Sequence, residues 1–284
     1  MGQLSAILDD IKIQHTVFAL PFALMSAFIA ASGWPGWRIF LLILAAMFFA
    51  RSAAMAFNRL ADERFDAGNP RTQGRALPAG KVSRGRYVFF VAASSIGFLA
   101  SCWMINRLAF MLSPAALAIV FFYSFTKRFT SYTHFFLGAS LALAPVGAWV
   151  AVREEISPVA MIIGAAVVFW LAGLDTIYSC QDYAFDRENS LNSIPRRFGV
   201  AAALRLAAVF HGVMVIILLS AFWAAGLSWI YLAGVLFTAL MLAYEHSIVR
   251  PDDLSRVNVA FFNVNGIISV GLMAFTIADV LLLG

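Results

Sequence analysis

Nine runs of about 20 predominantly apolar residues recur along the chain, each long enough to cross a bilayer as a helix. They cover approximately 15–32, 36–57, 85–105, 108–126, 132–151, 157–180, 200–223, 227–246 and 257–281. The runs are continuous and lack period-two alternation, which argues against membrane-spanning strands. The 284 residues are 62% hydrophobic and 12% charged, against roughly 25% charged in a soluble domain. A disordered chain, a disulfide scaffold and an ordinary soluble enzyme are all excluded. The expected fold class is an all-α polytopic membrane protein with nine transmembrane helices in a single domain, 1–284. Residues 1–14 form a short surface helix or a frayed terminus, and 15–284 form the bundle. Cys102 and Cys180 fall near opposite ends of expected spans, so no disulfide is expected.

The few charges set the orientation. Sixteen of the 20 basic residues lie at the N-terminus or on the connections after spans two, four, six and eight. Only Arg38, Arg107 and Arg153 lie on the opposite side, and Arg51 lies inside a span. The positive-inside rule therefore places the N-terminus and the even connections in the cytoplasm, and nine spans put the C-terminus outside. Trp34, Trp37, Trp103, Trp149, Trp223 and Trp229 fall near the outer ends, as an interfacial aromatic belt requires. The net charge of +5 is explained by topology rather than by nucleic acid, with anionic lipid headgroups as a second use.

Span two runs into Asn58, Asp62 and Asp66, four residues apart. Such steps advance about 400° on a helix, so the three share one face, with Arg51 two turns earlier on that side. Like charges at this spacing repel, and a cation between them resolves the conflict. The plain reading is a solvated helix end paired with Arg59 or Arg64. The sharper one is a site for Mg²⁺, which favours carboxylate and amide oxygens and shares its shell with phosphates. The following Gly- and Pro-rich loop carries Arg71, Arg75 and Lys81, whose cations suit the outer oxygens of a diphosphate.

Span six repeats the arrangement. Asp175, Tyr178, Asp182 and Asp186 follow one another at helical spacing, and the basic stretch Ile194-Pro195-Arg196-Arg197-Phe198-Gly199 comes next. Span four ends in Tyr123 and Lys127-Arg128 on the same side, and His134 begins span five as a base or polar contact. Paired carboxylates, two or more Mg²⁺ ions, surrounding cations and an apolar interior predict a substrate with a diphosphate head and a hydrocarbon tail. If the tail is allylic, departure of diphosphate leaves a delocalised cation. Water must then be excluded, so that a nucleophile such as an electron-rich aromatic ring captures it.

These residues resemble the UbiA superfamily of intramembrane prenyltransferases. The resemblance rests on Arg51 through Asp66, Arg71-Thr72 through Arg75-Ala-Leu-Pro78-Ala-Gly80, Tyr123 with Lys127-Arg128, Asp175 through Asp186, and Ile194-Pro195 with Phe198-Gly199. It implies a bundle around a central cavity with its mouth on the cytoplasmic side. It also implies two Mg²⁺ ions bridging the aspartate motifs and a lateral opening for the isoprenyl tail. Asp62, Asp66, Asp182 and Asp186 become candidate catalytic residues, and with Asn58 the candidate metal ligands. Arg71, Arg75, Lys127 and Arg128 become candidate diphosphate ligands, and Arg51, Asp175 and Tyr178 a polar pocket for the acceptor.

Lys12 through His15 to Pro21-Phe22, with Asp175 through Gln181, are similar to the quinone-pathway members. That similarity implies transfer of a polyprenyl group from polyprenyl diphosphate to a 4-hydroxybenzoate-like aromatic acid in ubiquinone synthesis. A dihydroxynaphthoate in the futalosine route to menaquinone is the alternative acceptor. Arg51, Arg71 and Lys12 are alternative anchors for the acceptor carboxylate. Ser179 departs from the second motif of many relatives, which place an acid there. The expected location is the bacterial inner membrane. A transporter is the rival class, but transporters gather polar groups near the bilayer midplane, whereas these carboxylates gather at helix ends.

Overall fold

A computed structural model of the chain describes residues 3–11 and 18–284. Its described residues are almost entirely helical. In chain order the helices are α1 (Gln3–Asp10), α2 (Leu20–Ala31), α3 (Trp37–Gly68), α4 (Arg84–Ile105), α5 (Arg107–Thr126), α6 (Thr133–Arg153), α7 (Pro158–Ser179), α8 (Tyr183–Glu188), α9 (Ile194–Phe198), α10 (Val200–Ala224), α11 (Trp229–Ile248) and α12 (Asn265–Leu282). Eight helices among the described residues are long and apolar enough to span a membrane. They match the second to ninth expected spans. The first, 15–32, differs: α2 has 12 residues, about 18 Å at 1.5 Å per residue, against a hydrocarbon core of about 30 Å. Residues 15–17, like Lys12, lie outside the described residues.

The chain forms two compact units, residues 1–16 with 38–125 and residues 17–37 with 126–284. In the first, α1 is more than the surface segment expected from sequence. Ile7 and Ile11 are buried in a cluster with Ala56, Leu77 and Tyr87, each worth roughly 1.5–3 kcal/mol of burial. Asp10 closes the anchor. One carboxylate oxygen accepts from the Ala76 N–H at 3.2 Å and the other from the Tyr87 hydroxyl. Phe57 of α3 stacks on Phe121 of α5 at 4.4 Å between centroids.

In the second unit α7 is the central helix, with 13 residues buried. Small residues let its neighbours approach closely, as in membrane bundles generally. A Cβ on Gly138 of α6 would lie 2.5 Å from the Val168 carbonyl oxygen, and one on Gly173 would strike the His211 ring. Trp149 faces this core and is buried, unlike exposed Trp37, Trp103, Trp223 and Trp229.

Polar groups inside the helices are joined to one another, because hydrocarbon offers them no water. The Trp170 indole donates to Asn265 Oδ1 at 2.7 Å, and Asn265 Nδ2 donates to Glu245 Oε1 at 2.7 Å and to the Ala260 carbonyl at 2.9 Å. Asn265 thereby serves a carbonyl in the π-helical stretch Val259–Val264 that opens α12. His211 donates from Nε2 to the Trp170 carbonyl, so its Nδ1 accepts from His246 Nε2 at 2.9 Å in the neutral ring. Asp279 accepts from the Ser228 N–H at 2.8 Å and the Tyr231 N–H at 3.0 Å. It places a carboxylate on the otherwise unpartnered first turn of α11.

Candidate active site

The first acidic motif rides on α3, which continues without a break to Gly68. Its 32 residues are about 48 Å long, so the helix must extend beyond the hydrocarbon and carry Asn58, Asp62 and Asp66 out with it. Asn58 Nδ2 donates to Asp62 Oδ2 at 2.9 Å and lies 3.4 Å from Ser124 Oγ on α5. Asn58 Oδ1 accepts from Arg59 at 3.2 Å. Arg59 also turns toward α1. It reaches Asp10, with Nη2 3.2 Å from the backbone oxygen and Nε 3.6 Å from the carboxylate.

Asp66 is buried and gripped from the loop. Arg75 Nη1 lies 2.7 and 2.6 Å from its two oxygens, and Thr72 Oγ1 donates to its backbone carbonyl at 3.1 Å. The loop is preshaped around this residue, with Asn69 accepting from the Arg71 N–H at 2.9 Å. Arg71 and Arg64 are exposed, and Arg51 is half-buried on α3.

The second motif is not a regular helix end. α7 stops at Ser179, Cys180–Asp182 form a 3₁₀ turn, and α8 restarts at Tyr183. Asp182 sits in that turn and Asp186 on α8, so the face-sharing that regular helical spacing predicts for Asp175, Asp182 and Asp186 does not carry through the turn. Asp182 is buried, and Asp186 is completely buried. Lys127 Nζ donates to Asp186 Oδ1 at 2.8 Å, while Asp186 Oδ2 has no hydrogen-bond partner among the described residues. The Lys127 carbonyl accepts from the Asn192 N–H at 2.7 Å, so the lysine's backbone is tied to the segment that follows α8. Arg128, the neighbouring cation, is exposed.

Asp175, half a helix earlier, pairs with His134. The Ile194 N–H donates to His134 Nε2 at 3.3 Å, so His134 carries its proton on Nδ1 and donates to Asp175 Oδ2 at 2.6 Å. Both ring nitrogens are occupied, and the ring is buried. His134 thus links α6, α7 and the start of α9 and has no free nitrogen with which to act as a base. Tyr178, one turn beyond Asp175, packs on Phe261 at 4.2 Å. The Ser179 hydroxyl turns back to the Thr176 carbonyl at 3.0 Å.

Sequence reasoning paired the loop cations with a substrate. The structure pairs Arg75 with Asp66 and Lys127 with Asp186. It also adds Asp10, which no spacing rule connects to Arg59, 49 positions away. Among the described residues no three His, Cys, Asp or Glu side chains converge into a metal-holding group. Mg²⁺ does not require one, since it commonly takes one or two carboxylates and completes its shell with water and substrate phosphate. The unpartnered Asp186 oxygen and the all-oxygen character of both motifs suit that ion.

Apolar membrane-length helices ending in carboxylates paired with basic side chains define a polytopic membrane protein. More narrowly, the chain belongs to the UbiA prenyltransferase family, whose pattern matches residues 19–267. It is 31% identical over 256 residues to the 4-hydroxybenzoate octaprenyltransferase of Cupriavidus metallidurans, covering 88% of this chain and 85% of the relative. The enzyme of the same name from Alcanivorax borkumensis is 29% identical over 248 residues, with 87% and 85% covered. An apo UbiA homologue from Aeropyrum pernix superposes with a TM-score of 0.85 at 35% identity, covering 95% of this chain and 99% of that one. A UbiA homologue from Archaeoglobus fulgidus, bound to DMAPP and Mg²⁺, shares the fold at a TM-score of 0.75 and 21% identity, with 96% and 98% covered.

Proposed function

We propose that the chain, acting over residues 1–284 as one catalytic unit, is a Mg²⁺-dependent aromatic polyprenyltransferase. It transfers the polyprenyl group of a polyprenyl diphosphate to a 4-hydroxybenzoate-like acid in quinone synthesis. The observation that carries this reading is Asp186, a fully buried carboxylate with one oxygen on Lys127 and the other without a hydrogen-bond partner among the described residues. An unmet buried acceptor costs about 1–3 kcal/mol, a cost that a bound cation removes. The relatives' names and the DMAPP- and Mg²⁺-bound homologue support the same chemistry.

In the reaction the allylic C–O bond breaks with its electron pair leaving on diphosphate. A ring carbon of the acceptor forms the new C–C bond, and the ring then loses a proton. Two or more Mg²⁺ ions supply charge neutralisation at the departing diphosphate. Asn58, Asp62, Asp66, Asp182 and Asp186 hold that charge in place. Arg71, Arg75, Lys127 and Arg128 meet the diphosphate oxygens, with Arg75 exchanging Asp66 for phosphate as substrate enters. Arg51, Asp175 and Tyr178 contact the acceptor, and His134 fixes the orientation of Asp175. The mouth opens to the cytoplasm of a bacterial inner membrane, with the N-terminus inside and the C-terminus outside, in keeping with the basic even connections.

Purified protein offered geranyl diphosphate, Mg²⁺ and a panel of aromatic acids, including a dihydroxynaphthoate, tests the reading. The expected result is a C-prenylated hydroxybenzoate. Prenylation of a non-aromatic lipid alone sinks it.

A further inference from the structure

The connection between α5 and α6 has only six residues, 127–132, so it must turn at the edge of the bilayer. α9 lies beside it and leads directly into α10, another spanning helix. Ser193 caps α9 by accepting from the Arg196 N–H at 3.3 Å, and Pro195 fits its first turn. This short helix thereby places Arg196 and Arg197 together against the α5–α6 turn. Between the two segments lies a cavity of about 490 Å³.

The cavity's chemistry is one-sided. Its polar lining consists of Arg196, Arg197, Thr130, Ser131, Tyr132 and Asn192, and no carboxylate lines it. Arg196 Nη1 is held by the Leu191 carbonyl at 2.9 Å and by Asn192 Oδ1 at 3.1 Å. A guanidinium has five N–H donors, so these bonds aim the group without exhausting it. The Arg197 guanidinium lies 5.6 Å from the Tyr132 ring centroid and 5.1 Å from that of Phe198. Rings hold a cation in place without neutralising it. Two oriented cations, three hydroxyls and an amide form a receptor for phosphate oxygens.

The rim narrows the source of that phosphate. Phe129 is 58% exposed, Tyr132 45% and Phe198 44%, the first two on the α5–α6 connection and the third at the end of α9, next to spanning helices, where aromatic rings favour the headgroup layer. A free phosphate gains nothing from such rings, whereas a lipid carries apolar chains to meet them. We propose that this cavity binds the headgroup of an anionic phospholipid, with Arg196 and Arg197 on its phosphate and Phe129, Tyr132 and Phe198 against its glycerol and upper acyl carbons. The Lys127–Asn192 backbone bond runs beside the cavity, so a bound lipid also braces the segment that holds Lys127 on Asp186.

The test uses the full chain purified in neutral detergent. Phosphatidylglycerol or phosphatidylcholine is titrated in, with inorganic phosphate and diphosphate in separate arms, while retained lipid is followed by native mass spectrometry and Tm by thermal unfolding. The expected result is a retained phosphatidylglycerol and a raised Tm, with neither from phosphatidylcholine or inorganic phosphate. Affinity should fall about tenfold in Arg196→Gln and in Arg197→Gln, each losing one charge-assisted contact. It should be unchanged in Arg86→Gln, an exposed arginine of α4 with the same charge loss. Equal retention of the two lipids, equal competition by inorganic phosphate, or an equal loss in Arg86→Gln overturns the proposal. The wild-type lipid comparison decides even if a variant fails to fold.

Discussion

Asp66 and Asp186 end the two repeated acidic motifs, each four residues after another aspartate, yet their carboxylates stand in different electrostatic positions. Asp66 lies on an unbroken helix, and both its oxygens are engaged by Arg75. Asp186 follows a 3₁₀ turn and is completely buried. It meets a lysine with one oxygen, and the other has no hydrogen-bond partner among the described residues. One Arg75 nitrogen reaches both Asp66 oxygens, whereas the Lys127 ammonium reaches a single Asp186 oxygen. Asp66 is therefore held by a cation at both oxygens, while Asp186 keeps one oxygen without a hydrogen bond among the described residues.

The largest expected effect follows from that difference. Asp186→Asn should lower prenyl-transfer kcat/KM by about 10³-fold, the scale seen when one group facing transition-state charge is lost, with normal yield of folded protein. A milder loss there than in Asp66→Asn reverses the ranking. Next, Asp66→Asn and Arg75→Gln should each cost about 10²-fold and be strongly non-additive in the double variant, with a coupling of roughly 0.5–3 kcal/mol. Additive losses show that the latch has no part in the reaction. His134→Phe should lower the rate about tenfold by freeing Asp175, an effect near 1.4 kcal/mol, while the pH profile keeps its shape. A lost limb in that profile would make the histidine a proton carrier.

The smallest effect concerns a carboxylate of another kind. Glu245 is also buried with one oxygen lacking a hydrogen bond among the described residues, but that oxygen lies 3.8 Å from His211 Nδ1 and the side chain belongs to the network around Asn265. Asn265→Leu should lower stability by about 0.6–1.7 kcal/mol, the range for hydrogen bonds between membrane helices. Its Mg²⁺ dependence should be unaltered, as read by Tm and by a metal titration.

Much of this was legible before any coordinates. Apolar runs marked eight of the described helices because hydropathy in lipid is a direct constraint on the backbone. Four-residue steps single out Asn58, Asp62, Asp66, Asp182 and Asp186 as candidates. Local spacing could not show where α7 breaks, because nothing in Ser179-Cys180-Gln181 distinguishes a 3₁₀ turn from one more turn of helix. Nor could it show the partners of Arg75, Lys127 and His134. Lys127 meets Asp186 across 59 positions and His134 meets Asp175 across 41, and such contacts are products of packing. The partners of Asp10 and Asp279 are hidden for the same reason. A single acid near a span end carries no periodic signal, and its role exists only once a helix terminus or an arginine is folded against it.

The account's central claim is that this chain performs metal-dependent transfer through its second motif. The most direct measurement is the initial rate of prenylation of 4-hydroxybenzoate by geranyl diphosphate in purified wild type and Asp186→Asn, with Mg²⁺ and with excess EDTA. The account predicts product in wild type with Mg²⁺, none above background with EDTA, recovery on adding Mg²⁺ back, and almost none in the variant. Unchanged rates in EDTA, or a variant as active as wild type, would contradict it.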